Sequence, residues 1–126
     1  MKFNIGSQWK KWNFHIHTKG TNKNDQFSSS TIEDFFHTFY KRAYENQISA
    51  IGITDYFSID RYLDAIEYRK YIDSKLDAEG KPLFDSDQIE FIRDIFLFPN
   101  VELRMLPSTD KGRLINIHCL FNPEYV

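Results

Sequence analysis

Trp12-Asn13-Phe14-His15-Ile16-His17-Thr18-Lys19-Gly20 sets two histidines one residue apart, with Trp12, Phe14 and Ile16 in the alternate positions. On a regular β-strand side chains alternate between faces, so the three apolar residues point one way and Asn13, His15 and His17 the other. With a rise of about 3.3 Å per residue, the two imidazoles start roughly 6.5 Å apart at Cα. That spacing lets both rings lean onto a single metal ion; the competing reading is a strand with an incidental pair of histidines. The strand is expected to run from about Lys11 to Thr18, preceded by an N-terminal arm of about residues 1–10.

Downstream, a polar loop leads to a helix start at Ser30, three residues before Glu33 in capping-box spacing. Ile32, Phe35, Phe36, Phe39, Tyr40, Ala43 and Tyr44 then follow a helical period and form a wide aromatic stripe. His37 falls off the stripe and is expected at the surface. Ile48 to Asp55 (I-S-A-I-G-I-T-D) is a nearly continuous run of small and β-branched residues, as a strand buried on both faces requires. Strand, helix, strand at this spacing predicts a right-handed crossover between parallel neighbours. Asp55 then sits at the carboxyl end of its strand, the edge where parallel α/β proteins build their sites.

The next helix is expected after Ser58, with Asp60 in its first turn, with Ile59, Tyr62, Leu63 and Ile66 as its apolar face, and to run to about Leu76. Ala78-Glu79-Gly80-Lys81-Pro82 breaks the chain. A third helix is expected from Asp85 to about Phe96, with Ile89, Ile92 and Phe96 on one side. Strands at Phe98–Met105 and Arg113–Phe121 are separated too briefly for a parallel crossover, so they form an antiparallel hairpin around Asp110-Lys111-Gly112. The hairpin brings Glu102 opposite Ile117 or its neighbour, beside His118. Cys119 alternates to the other face and is expected in the core.

The bulk numbers narrow the function classes. The 126 residues allow one domain, and a net charge of −2 provides no strong positive field for nucleic acid. The single Cys119 excludes an intrachain disulfide framework. Neither a signal-type apolar segment nor a run approaching the roughly 20 apolar residues of a membrane span is present, so the expectation is a cytoplasmic protein with no membrane role. No phosphate-binding P-loop, dinucleotide fingerprint or G-x-S-x-G elbow occurs.

What remains is a set of metal-type ligands from four segments: His15 with His17, Asp55, Glu102 and His118. Imidazole plus carboxylate suits Zn²⁺, Mn²⁺ or Fe²⁺, one or two ions, and a carboxylate such as Glu102 can bridge a pair. Each residue also has a plain alternative: Asp55 capping the turn before the second helix, Glu102 pairing with Arg104 or Lys111, and His118 as a satisfied core histidine.

In order along the chain, H-I-H-T at 15–18, A-I-G-I-T-D at 50–55, P-N-V-E-L at 99–103 and I-N-I-H-C-L-F at 115–121 resemble the successive motifs of PHP domains, the polymerase-and-histidinol-phosphatase superfamily. More narrowly, W-x-x-H-I-H-T, I-T-D-Y-F-S-I-D at 53–60 and the L-I-N-I-H strand resemble the N-terminal PHP module of TrlF-like proteins, in which a large AAA- or SMC-like ATPase follows. The resemblance implies a distorted β/α barrel with up to three metal ions at the carboxyl ends of its strands, and phosphoesterase activity. It assigns His15, His17, Asp55, Glu102 and His118 as metal-ligand positions; on their chemistry Asp55 and His118 are also the expected catalytic groups, and Lys19 and Arg104, with Lys23, are the nearest cations for a substrate phosphate. Three departures accompany it. Asn13 stands where the family has aspartate, Tyr56 where it has histidine, and the later ligand motifs have no counterpart in the 126 residues. A closed α/β barrel takes on the order of 200 residues or more. We therefore expect one PHP-like domain over residues 1–126: a partial barrel of about four strands (two parallel plus an antiparallel hairpin) and about three helices. A partner chain, an ATPase domain or a second copy would cover its open side. The function expected is metal-dependent phosphoester hydrolysis, with nucleic acid among the substrates; the alternative is a degenerate PHP domain with a regulatory or protein-interaction role.

Overall fold

A computed structural model describes residues 8–20, 27–29, 31–106 and 108–126. The order is β1 (Lys11–His17), α1 (Ile32–Glu45), β2 (Ile48–Tyr56), α2 (Asp60–Lys70), α3 (Ser86–Asp94), β3 (Phe96–Met105) and β4 (Ile115–Leu120), with short 3₁₀ turns at Ile72–Ser74 and Pro123–Tyr125. The strands form one curled, half-barrel sheet in the order β1-β2-β3-β4: the first two pairings are parallel and the last is antiparallel. The parallel β1–β2 pair and the antiparallel β3–β4 hairpin are those the sequence predicts; the parallel pairing of β2 with β3 joins them into one α/β sheet. Among the described residues, no helix is long and apolar enough to cross a membrane.

The core lies between the sheet's convex face and the helices. Phe35, Phe36, Phe39, Tyr40 and Ala43 of α1 pack with Tyr62, Ala65 and Tyr68 of α2, Ile92 of α3, and Ile51, Ile53 and Leu97 of the sheet. The aromatic stripe of α1 is thus the buried face its period predicts. Buried within it, the Tyr40 hydroxyl donates to the Ala65 carbonyl at 2.7 Å, which satisfies a polar group that would otherwise carry a desolvation cost.

Several boundaries differ from expectation. The cap of α1 is Thr31, whose hydroxyl accepts from the Asp34 amide at 3.1 Å; Ser30 lies outside the described residues, as do Lys23 and residues 1–7 of the arm. Helix α2 ends at Lys70, and its buried face is Tyr62, Ala65 and Tyr68, leaving Leu63 48% exposed. Leu76 is in an isolated bridge with Pro82 across a turn closed by the Asp77 carboxylate, which accepts from the Glu79 and Lys81 amides at 2.9 and 2.8 Å. Asp85 and Gln88 form a reciprocal capping box for α3. Phe96 does not extend that helix; it opens β3 opposite Ala50 and is 56% exposed. His37 is half-buried against the Phe84 ring at 5.5 Å. Cys119 is half-buried rather than core, because the helices pack over β2 and β3 and leave β4 open.

Candidate metal centre on the concave face

The concave face is divided along the strands. At the amino ends of the parallel strands Trp12, Phe14, Ala50, Phe96, Phe98 and Leu120 line an apolar groove of about 430 Å³. Toward the carboxyl ends, polar groups replace them: His15, His17, Asn100, Glu102 and His118.

A bulge in β1 creates the site. Asn13 pairs with Ile51 and Ile16 with Ile53, so three residue steps on β1 span two on β2. The extra residue breaks the predicted alternation. Ile16 packs against the helix-side core, whereas Trp12 and Phe14 turn to the other face, where Phe14 meets the Phe98 ring edge-on at 5.3 Å. His15 and His17 share that concave face with Phe14. The Asn13 carboxamide accepts from the His15 amide at 3.2 Å, holding the bulge locally. The displaced Phe14 carbonyl lies over Gly52, where a Cβ would fall 2.3 Å from it, and accepts from Asn100 Nδ2 at 2.7 Å.

On the hairpin, Glu102 is paired directly with His118, one residue along from the predicted Ile117, because the turn centres on residue 110. Its carboxylate, 3% exposed, has Oε2 3.4 Å from His15 Nε2 and 3.1 Å from His17 Nε2, and those two nitrogens are 2.9 Å apart. Among the described residues, Glu102 Oε2 is buried and takes no hydrogen bond. Ligand atoms of His15, Glu102 and His118 also lie within 4.8 Å of one another, so His15 and Glu102 belong to two overlapping triplets. Burial and the neighbouring His17 and His118 lower the pKa of His15, partly opposed by Glu102, a shift that favours the neutral form in which an imidazole ligates. The donor set fits a divalent ion of the zinc or manganese type. Ligand atoms about 2.0–2.1 Å from a tetrahedral ion lie roughly 3.3–3.4 Å apart, close to the observed triangle. One feature is incomplete: among the described residues His17 Nδ1 is buried without a hydrogen-bond partner, whereas a ligating histidine usually donates from its second nitrogen.

Asp55 is not part of this cluster. Strand alternation sends it with Ile51 and Ile53 to the helix side, where its carboxylate accepts from the Tyr56 amide at 2.9 Å and from the Ser58 hydroxyl at 3.0 Å. Ser58 Oγ in turn accepts from the Asp60 amide at the start of α2. Asp55 closes the strand-to-helix turn, the plainer of its two sequence readings. Tyr56 takes the site-facing position instead, stacked on His17 at 5.0 Å and 16°. The Arg104 guanidinium lies 5.3 Å over the Tyr56 ring, its Nε buried with no hydrogen-bond partner among the described residues, and Lys19 Nζ donates to the Phe27 carbonyl at 3.4 Å. The isoleucines at 51 and 53 already marked the helix side of β2, a signal that would have separated Asp55 from the histidines. Asn100 and Gly52 carried no comparable signal, since their role depends on the bulge. No family model, curated protein or solved structure matches the chain.

Proposed function

We propose that this chain is a PHP-like, metal-dependent phosphoesterase module, hydrolysing a phosphomonoester or phosphodiester, nucleic acid included. The observation that supports this best is the Glu102 carboxylate oxygen, buried, without a hydrogen bond among the described residues, and within 3.4 Å of two imidazole Nε2 atoms. A buried carboxylate oxygen left bare is costly unless a cation or donor meets it. His15, His17 and Glu102 would hold one ion, and His118 with the shared Glu102 would hold a second. A bound divalent ion supplies Lewis acidity and lowers the pKa of water. Arg104 would orient the phosphate through charge-assisted hydrogen bonds, and Lys19 would join it after leaving the Phe27 carbonyl. Where one ion is bound, His118 in its protonated form would deliver a proton to the leaving oxygen. In this reading the chain acts in the cytoplasm as the N-terminal module of a larger assembly, its open sheet edge covered by an ATPase domain, a partner or a second copy.

A second reading is a degenerate domain that senses or docks without catalysis. Two observations favour it: the Asp55 carboxylate is committed to Tyr56 and Ser58, and the Tyr56 ring covers one face of His17.

Metal analysis after reconstitution with Zn²⁺ and Mn²⁺ tests both. Less than about 0.2 ion per chain overturns the metal site. Bound metal that Glu102→Gln removes, together with hydrolysis of bis(p-nitrophenyl) phosphate or p-nitrophenyl phosphate, supports the enzyme. Bound metal without hydrolysis favours the second reading, and hydrolysis surviving in the His15→Ala/His17→Ala double variant removes those histidines from the chemistry.

A further inference from the structure

Asn100 makes three polar contacts on three separate strands. Its Nδ2 donates to the Phe14 carbonyl on β1 at 2.7 Å and to Thr54 Oγ1 on β2 at 3.1 Å, and its Oδ1 is 3.1 Å from His118 Nδ1 on β4. A backbone carbonyl can only accept, so the Phe14 contact fixes which end of the carboxamide is nitrogen. The other end is then necessarily an acceptor, and the group facing it must donate. His118 therefore carries its proton on Nδ1 when neutral, which leaves Nε2 bare.

We propose that Asn100 is the positioning residue of this site: one carboxamide sets the His118 tautomer with Nε2 free to ligate, and anchors the β1 bulge that presents His15. The inference rests on the metal-site reading for its purpose, but not for its geometry. Each half of the carboxamide serves a different half of the cluster. The Oδ1 side acts on His118, which belongs with His15 and Glu102; the Nδ2 side acts on the Phe14 carbonyl, the residue immediately before His15. Gly52 is the complement, since only a residue without Cβ leaves room for that carbonyl. Asn100 is itself 2% exposed and pairs with Leu120 in the hairpin ladder, so its backbone is fixed independently of its side-chain bonds.

Long-range ¹H–¹⁵N NMR of the metal-free chain, at about pH 8 and so above the ordinary imidazole pKa, reads the tautomer directly. The expected wild-type result is His118 with a pyrrole-type Nδ1 and a pyridine-type Nε2; the reverse assignment overturns the proposal without any variant. In Asn100→Ala the His118 tautomer is expected to shift toward Nε2–H and the His15 resonances to move. In Asn100→Asp, whose carboxylate still accepts from His118 but cannot donate to Phe14, the tautomer should persist while His15 moves. A folded Asn100→Ala protein with both histidines unchanged overturns it. Zn²⁺ titration adds the consequence, an affinity about 10–100-fold lower in Asn100→Ala. Should the wild type bind no zinc, the metal reading fails, whereas the tautomer result still decides the role of Asn100.

Discussion

Replacing Gly52 by alanine tests the bulge on which the cluster depends. The added Cβ would lie 2.3 Å from the Phe14 oxygen, 2.8 Å from its carbonyl carbon and 2.8 Å from Phe98 Cε2, whereas ordinary contact begins at 3.4 Å. Two of the three obstacles are backbone atoms, so no rotamer change relieves them. The carbonyl must retreat by about 1 Å, more than its 2.7 Å bond from Asn100 can follow. Overpacking costs about 1–3 kcal/mol and a buried polar group left unpaired about 1–3 kcal/mol more. The expected loss is about 2–6 kcal/mol, a large part of the roughly 5–15 kcal/mol that holds a domain together. Urea denaturation followed by circular dichroism measures it, with His15 resonances reporting the bulge in the native baseline. Gly80→Ala is the control: its added Cβ meets nothing within 4 Å among the described residues and φ is +80°, so it carries only the left-handed backbone cost of about 1–2 kcal/mol. A Gly52→Ala protein within about 0.5 kcal/mol of wild type, with His15 unmoved, would refute the steric reasoning.

Further outcomes are specific to other elements. Burial first, and then Lys41, lower the pKa of His37 against a weaker opposing effect of Asp34. Its contribution is therefore complete above the unfolded value near 6.5 and is lost as pH falls through the folded pKa; the decline of the urea midpoint below about pH 6.5 should be shallower in His37→Gln. Thr31→Ala removes the acceptor of the Asp34 amide and should cost about 0.5–2 kcal/mol in thermal or urea melts. Tyr40→Phe leaves the buried Ala65 carbonyl without the hydroxyl that donates to it and should cost about 1–3 kcal/mol. If hydrolysis is found, Arg104→Met should raise KM more than it lowers kcat, since the guanidinium is assigned to phosphate binding; an unchanged KM removes it from that role.

Legibility followed the range of the interaction. The stripe from Phe35 to Ala43 is set by local period, and it was readable because one helix face needs nothing from the rest of the chain. The same holds for the hydrophobic run of β2, and for the hairpin, whose short loop excludes a parallel pairing. The hairpin also put Glu102 beside His118 to within one residue. The end of α2 and the start of β3 were harder, because Leu76 and Phe96 suit a helix locally and are claimed by a bridge and by Ala50 across the sheet.

The sequence by itself determined the α/β order, the buried stripe of α1, and the identity of the imidazoles and the carboxylate that could share an ion. Which of them meet was decided only in three dimensions. The bulge at His15 arises from how β1 fits against β2, with the Phe14 carbonyl seated over Gly52 and bound by Asn100, eighty-six residues away along the chain. Period-two alternation would have kept Phe14 and His15 on opposite faces; one extra residue places both on the concave side, while β2, which runs without a bulge against β3, carries Asp55 to the other. A strand's faces can be read from its period, but a bulge is a property of the pair of strands.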